Sequence, residues 1–193
     1  MSNGNAARSM DSAIQFKKGN LFDVVVRALL QSGLSPQRLQ IEVTETALLE
    51  NQPGQLRTFR LLKSMGITLV LDDFGTGYSS ASYLTNFPFD RIKIDKSFVQ
   101  GLPKRECAAV ITSAIALAKG LGITITAEGI ETESQFRRLR TMGIDYGQGY
   151  LFSRPVPHHE FISMHDNSDA VGSRTQEQDC CGRAVVAVGR LFN

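Results

Sequence analysis

Cysteine is scarce in this chain. There are three, Cys107, Cys180 and Cys181, one inside a helical pattern and two adjacent. They offer neither a secreted disulfide framework nor the paired spacing of a structural zinc site. Histidine is equally rare, and His158 and His159 follow a proline as surface residues would. An excess of one charge is also lacking. Lys and Arg number 21 against 19 Asp and Glu, a net charge of +2, which gives no electrostatic case for nucleic acid. No apolar run approaches a membrane span, and the polar start MSNGNAARSMDS has no signal-peptide core. A reduced, cytoplasmic chain without a membrane segment is the expectation. The length of 193 residues is short of the ~250 typical of a complete (β/α)8 barrel.

Hydrophobic residues make up 42% of the chain, enough for a core and too many for disorder. Helical and β-rich patterns alternate along the middle. Helices are predicted over Leu21 to Gly33, Gly54 to Gly66, a short stretch at SSASYLTNF, Lys104 to Lys119, and SQFRRLRTMG. Strands are predicted over Leu39 to Glu45, Ile67 running into the turn at Gly77, Asp90 to Val99, and Ile123 to Gly129, with a last run starting at Ile144. This βαβα series predicts a mostly parallel sheet with helical cover. A small repeat supports it: SMGITLVLDD, GLGITITAEG and TMGIDYGQGY each end a helix on glycine and enter a strand at once.

Each strand turns from apolar to polar at its C-terminal end. The residues are Glu42 and Glu45, Asp72 and Asp73, Lys93 and Asp95, Glu128 and Glu131, and Gln148. Parallel strands bring these ends to one edge, where barrel active sites form. Carboxylates gathered there repel one another unless a cation or protons compensate. Oxygen ligands without cysteine or clustered histidine point to magnesium, manganese or calcium. FGTG lacks the full glycine pattern of a dinucleotide fingerprint.

At these residues the sequence resembles the EAL domain family of bacterial cyclic-di-GMP phosphodiesterases. The matching stretches are IEVTE (41–45), LDDFGTGYSS (71–80), FDRIKIDKSFV (89–99), TAEGIET (126–132) and GQGYLFSRPVP (147–157). The resemblance runs over 12–161 and implies an α/β fold, an incomplete TIM-like (β/α)8 barrel with about five intact parallel strands. Residues 1–11 and 162–193 fall outside it and are expected to be flexible. Within the tail, RAVVAVGRLFN is β-prone; disorder is the first expectation there, and an edge patch by Ala184 to Leu191 the alternative.

The resemblance also implies the chemistry, hydrolysis of cyclic-di-GMP to pGpG with two Mg2+ or Mn2+ ions. Glu42, Asp72 and Asp73 resemble metal ligands. Lys93 resembles the lysine that holds the attacking water and phosphate charge, and Glu128 the general base. Gln148 resembles a residue at the nucleotide. Glu45 and Glu131 resemble carboxylates supporting the DFGTG loop, and Asp95 a supporting neighbour. Two family features are not found. No Glu-Ala-Leu stretch stands in the 41 residues before Glu42, and Met10 falls where the family has an asparagine ligand. An N-terminally truncated domain that has lost most activity is therefore expected. The alternatives are a non-catalytic nucleotide- or protein-binding module, or a fragment without independent activity. Self-association through the DFGTG loop, which Phe74 and Tyr78 shape, or through open sheet edges is a further expectation.

Overall fold

The computed structural model describes residues 21–48, 52–76, 81–152, 154 and 184–188. Residues 1–20 and 155–183 lie outside that set, as do Met10, Tyr78, both vicinal cysteines and His158 and His159. The chain divides into two compact units, the first running to Ile92 and including Ala184–Val188, the second beginning at Lys93.

The first unit begins with α1 (Leu21–Ser32), whose Leu21, Val25 and Leu29 are buried at one-turn spacing. A short 3-10 turn (Pro36–Arg38) leads into β1 (Leu39–Thr44), followed by α2 (Glu45–Leu48) and α3 (Gln52–Ser64). Then come β2 (Thr68–Phe74), α4 (Ala81–Asn86) and β3 (Arg91–Ile94). β3 contains the division, with Arg91 and Ile92 in the first unit. The first unit's strands run in the order β3-β2-β1-β6, where β6 is Ala184–Val188. β1 pairs in parallel with β2 from Gln40↔Thr68 to Thr44↔Asp72. It also pairs in parallel with β6, from Leu39↔Ala184 to Val43↔Val188.

The second unit opens on Lys93 and Ile94 of β3 and continues through α5 (Lys96–Gln100), α6 (Arg105–Leu121), β4 (Thr124–Ala127), α7 (Glu133–Met142) and β5 (Tyr146–Gly147). Its strand order is β5-β4-β3, and β4 pairs with β5 in parallel. α6 packs through Ile111, Ala114, Ile115 and Ala118. The fold class is α/β as expected, with five parallel strands, β1 to β5, among the described residues, where a closed barrel has eight.

Two local devices fix the strands. Gly66, Gly122 and Gly143 hold φ of 86°, 70° and 93°, the left-handed conformation that stops each helix and returns the chain to a strand. At the strand starts an aspartate clips its neighbour. Asp90 accepts from the Leu69 N–H at 2.9 Å and pairs with Lys63, while its own N–H donates to the Leu69 carbonyl at 2.9 Å. In the second unit Asp145 repeats this on Ile125, accepting at 2.9 Å and donating at 3.2 Å.

One expected strand is corrected. The run Asp90 to Val99 is not a strand throughout, because extended structure ends at Ile94. Asp95 caps α5 instead, its carboxylate accepting from the Ser97 N–H at 2.9 Å. An aspartate that satisfies a free helix N–H favours a helix start over continued strand.

Candidate active site

Alternation along each strand sets up the polar positions. In β1, Leu39, Ile41 and Val43 take one face and Gln40, Glu42 and Thr44 the other, yet all six residues are buried. The polar face is therefore built, not merely exposed. The Gln40 amide donates to Glu42 Oε1 at 3.0 Å and orients that carboxylate. Gln40 was missed from the sequence. The signal available was its position two residues before Glu42, on the same strand face.

At the end of β1, Glu45 opens α2 and is 3% exposed. Its Oε2 accepts from the Gly75 N–H at 3.3 Å, tying the Asp-Asp-Phe-Gly turn to the first unit's core. Gln55 braces the same corner by donating to the Ala47 carbonyl at 2.8 Å.

In β2, Asp72 is buried and Asp73 half-buried. Asp73 holds φ of 54°, the only described non-glycine residue in the left-handed region. Aspartate tolerates that region better than most residues, and such positions gather at functional sites. The turn is held on both sides: the Asp73 N–H donates to Asp72 Oδ1 at 3.0 Å, and Thr76 Oγ1 donates to the Asp73 carbonyl at 2.8 Å. One carboxylate oxygen of Asp72 and one of Asp73 lie within 4.8 Å of each other, near enough to share a cation. A hard divalent metal takes such oxygen ligands, so the donor chemistry here fits magnesium or manganese.

The second unit holds the other half of the predicted set. Lys93 Nζ lies 2.6 Å from Glu128 Oε1, with side chains 7% and 11% exposed. Both positions follow from alternation, Lys93 between Ile92 and Ile94 and Glu128 one step past Ala127. The Glu128 N–H donates to the Ile94 carbonyl at 3.1 Å, which extends the ladder to the glutamate itself. A buried ion pair of this kind positions charge at some cost in desolvation.

The loop after Glu128 is tightly fixed. Ile130 donates to the Gln148 carbonyl at 3.0 Å, Gln148 donates to the Ala127 carbonyl at 2.9 Å, and Leu151 donates to the Ile130 carbonyl at 3.0 Å. Gly149 lies against this crossing, where a Cβ would meet the Ile130 carbonyl oxygen at 2.2 Å. Gln148 thus locks the Glu128 loop by its backbone, while the residue as a whole is exposed. Glu131 is exposed and accepts from the Gln100 amide at 3.3 Å. Asp95 is engaged as the α5 cap.

The class defined here is a parallel α/β domain with carboxylates and a lysine at its strand ends. The EAL domain profile matches residues 9–155, and this chain belongs to that family. Its relatives include the cyclic di-GMP phosphodiesterase RocR of Pseudomonas aeruginosa, 43% identical over 142 residues. That match covers 72% of this chain and 36% of RocR. The bifunctional diguanylate cyclase/cyclic di-GMP phosphodiesterase MucR of the same organism is 39% identical over 153 residues, 79% of this chain and 22% of MucR. A structure of the MucR phosphodiesterase in complex with c-di-GMP superimposes with a TM-score of 0.73 at 39% identity, covering 77% of this chain and 61% of that one. A manganese/cy-diGMP complex of Klebsiella pneumoniae BlrP1 gives a TM-score of 0.64 at 38% identity, covering 69% of this chain and 34% of that one. This chain spans between about a fifth and about a third of the curated relatives it matches. Among the described residues, no helix is long and apolar enough to cross a membrane.

Proposed function

We propose that this chain is an EAL-type cyclic-di-GMP phosphodiesterase homologue that binds the nucleotide and hydrolyses it slowly. The observation that carries the reading is the buried Lys93–Glu128 pair at 2.6 Å. A surface lysine and glutamate would gain little from each other, whereas burial at strand ends keeps both charges poised for a reacting group. In this reading Lys93 neutralises phosphodiester charge and Glu128 takes a proton from the attacking water. Asp72, Asp73 and Glu42 would hold Mg2+ or Mn2+, with Glu45 bracing the Asp-Asp turn and Gln148 standing at the nucleotide. Bound metal supplies charge neutralisation at the phosphodiester and acidifies water.

Slow hydrolysis follows from the ligand count. Met10 takes the family's asparagine position. A thioether is a poor ligand for a hard cation. The first metal position is therefore weakened. Losing about 4 kcal/mol of transition-state stabilisation lowers the rate roughly 10³-fold.

Calorimetric titration with cyclic-di-GMP, with and without Mn2+, and chromatographic assay of pGpG test this. Saturable, Mn2+-dependent binding is expected, with turnover at least ~10³-fold below RocR measured alongside and abolished by Glu128→Gln. Turnover equal to that of RocR refutes the loss of activity. Binding without any turnover assigns a non-catalytic nucleotide module, and neither binding nor turnover a fragment without independent activity.

A further inference from the structure

The outer edge of β1 carries an interaction that the proposed chemistry does not use. β1 has β2 on one side. On the other lies Ala184–Val188, from about 145 residues further along the chain, in five consecutive parallel pairs: Leu39↔Ala184, Gln40↔Val185, Ile41↔Val186, Glu42↔Ala187 and Val43↔Val188. Parallel pairing between neighbouring strands needs a connecting crossover, but nothing requires a distant segment to pair here. The segment AVVAV is uncharged, free of proline and rich in valine, the composition that suits addition to a sheet edge. β1 is the strand whose backbone partners run through Gln40 and Glu42, both of them buried. Without a partner on that side, its outward N–H and C=O groups would form an open template.

We propose that the outer edge of β1 is a strand-acceptor site, that Ala184–Val188 is its ligand held in cis, and that this docking keeps the backbone around Glu42 paired. Recognition is by main-chain hydrogen bonds to an extended, apolar, β-branched segment, the mode of β-strand addition. Tethering makes the docking intramolecular, so the cis strand competes against a free peptide.

The test uses the full chain and a Val185→Pro/Val186→Pro variant of it. In a strand, successive N–H groups point to opposite sides, so the pair removes a ladder donor whichever of the two faces β1. Amide hydrogen exchange over Leu39–Thr44 is expected to quicken at least ~10-fold, with exchange over Thr124–Ala127 unchanged. A labelled peptide of residues 182–190 is expected to bind the variant saturably and the unaltered chain at least ~10-fold more weakly. Unchanged exchange in β1, or equal peptide binding by both proteins, overturns the proposal. If the double variant loses protection over Thr124–Ala127 as well, the two single variants decide. Only one of those N–H groups faces β1, so equal β1 exchange in the two single variants overturns the proposal.

Discussion

Removing either partner of the Lys93–Glu128 pair should destabilise the domain far more than removing both. The pair is 2.6 Å apart with side chains 7% and 11% exposed. Lys93→Met leaves Glu128 buried beside a thioether, and Glu128→Leu leaves Lys93 buried beside an alkyl chain. Breaking a buried ion pair by removing one member costs about 3–5 kcal/mol. For a domain of this size each kcal/mol moves the melting temperature by about 2–4 °C, so either single change should lower it by about 6–20 °C. The double variant Lys93→Met/Glu128→Leu removes both desolvation penalties and should recover at least ~2 kcal/mol of the summed single losses. The assay is thermal and urea unfolding of all four proteins, read as a double-mutant cycle. Single losses under about 1 kcal/mol, or additivity within about 0.5 kcal/mol, would refute the reasoning. Such a result would mean that water screens the two charges despite their burial.

Other features give separate expectations. Asp90→Ala strips the acceptor from the Leu69 N–H and should cost about 1–3 kcal/mol in urea unfolding; a loss below ~0.5 kcal/mol would deny the clip any role. Gly149→Ala forces a Cβ to 2.2 Å from the Ile130 carbonyl oxygen, and about 3 kcal/mol of destabilisation is expected in the same assay. A well-tolerated alanine there would mean that the Gly149–Ile130 crossing opens freely. Thr132→Ala removes the α7 cap and should cost about 1 kcal/mol, with Thr132→Ser recovering most of it.

Much of the fold is legible because its punctuation is local. A glycine that ends a helix and an Ile-Thr pair that starts the next strand lie within four residues, as in Gly66–Thr68 and Gly122–Thr124. The aspartate clips are less legible. Leu69 and Asp90 are 21 positions apart, and only the parallel pairing of their strands makes them neighbours. The stretch Asp95 to Val99 ends on the β-prone pair Phe98-Val99, which extends β3 on paper, but a single side-chain acceptor at Asp95 turns it into a helix. β6 was readable as a β-prone run, whereas its partner strand lies too far away in sequence for any local signal to name.

The site shows the same divide, and two Glu-Thr pairs make it concrete. Glu45-Thr46 and Glu131-Thr132 each follow a strand and precede a helix, so sequence pattern alone gives both glutamates one role. Their surroundings separate them. Thr132 is followed three residues later by Gln135, and the two form a reciprocal cap: Thr132 Oγ1 accepts from the Gln135 N–H at 3.2 Å, and Gln135 Oε1 accepts from the Thr132 N–H at 3.0 Å. The helix therefore starts after Thr132, which leaves Glu131 outside it and exposed, its N–H also satisfied by Gln135 at 2.9 Å. Thr46 has no such partner three residues on, because Leu49 stands there. α2 starts on Glu45 itself, drawing that carboxylate into the core at 3% exposure, within reach of the Gly75 N–H. One glutamine three residues downstream thus separates a buried carboxylate that braces the Asp72–Asp73 turn from an exposed one held by Gln100.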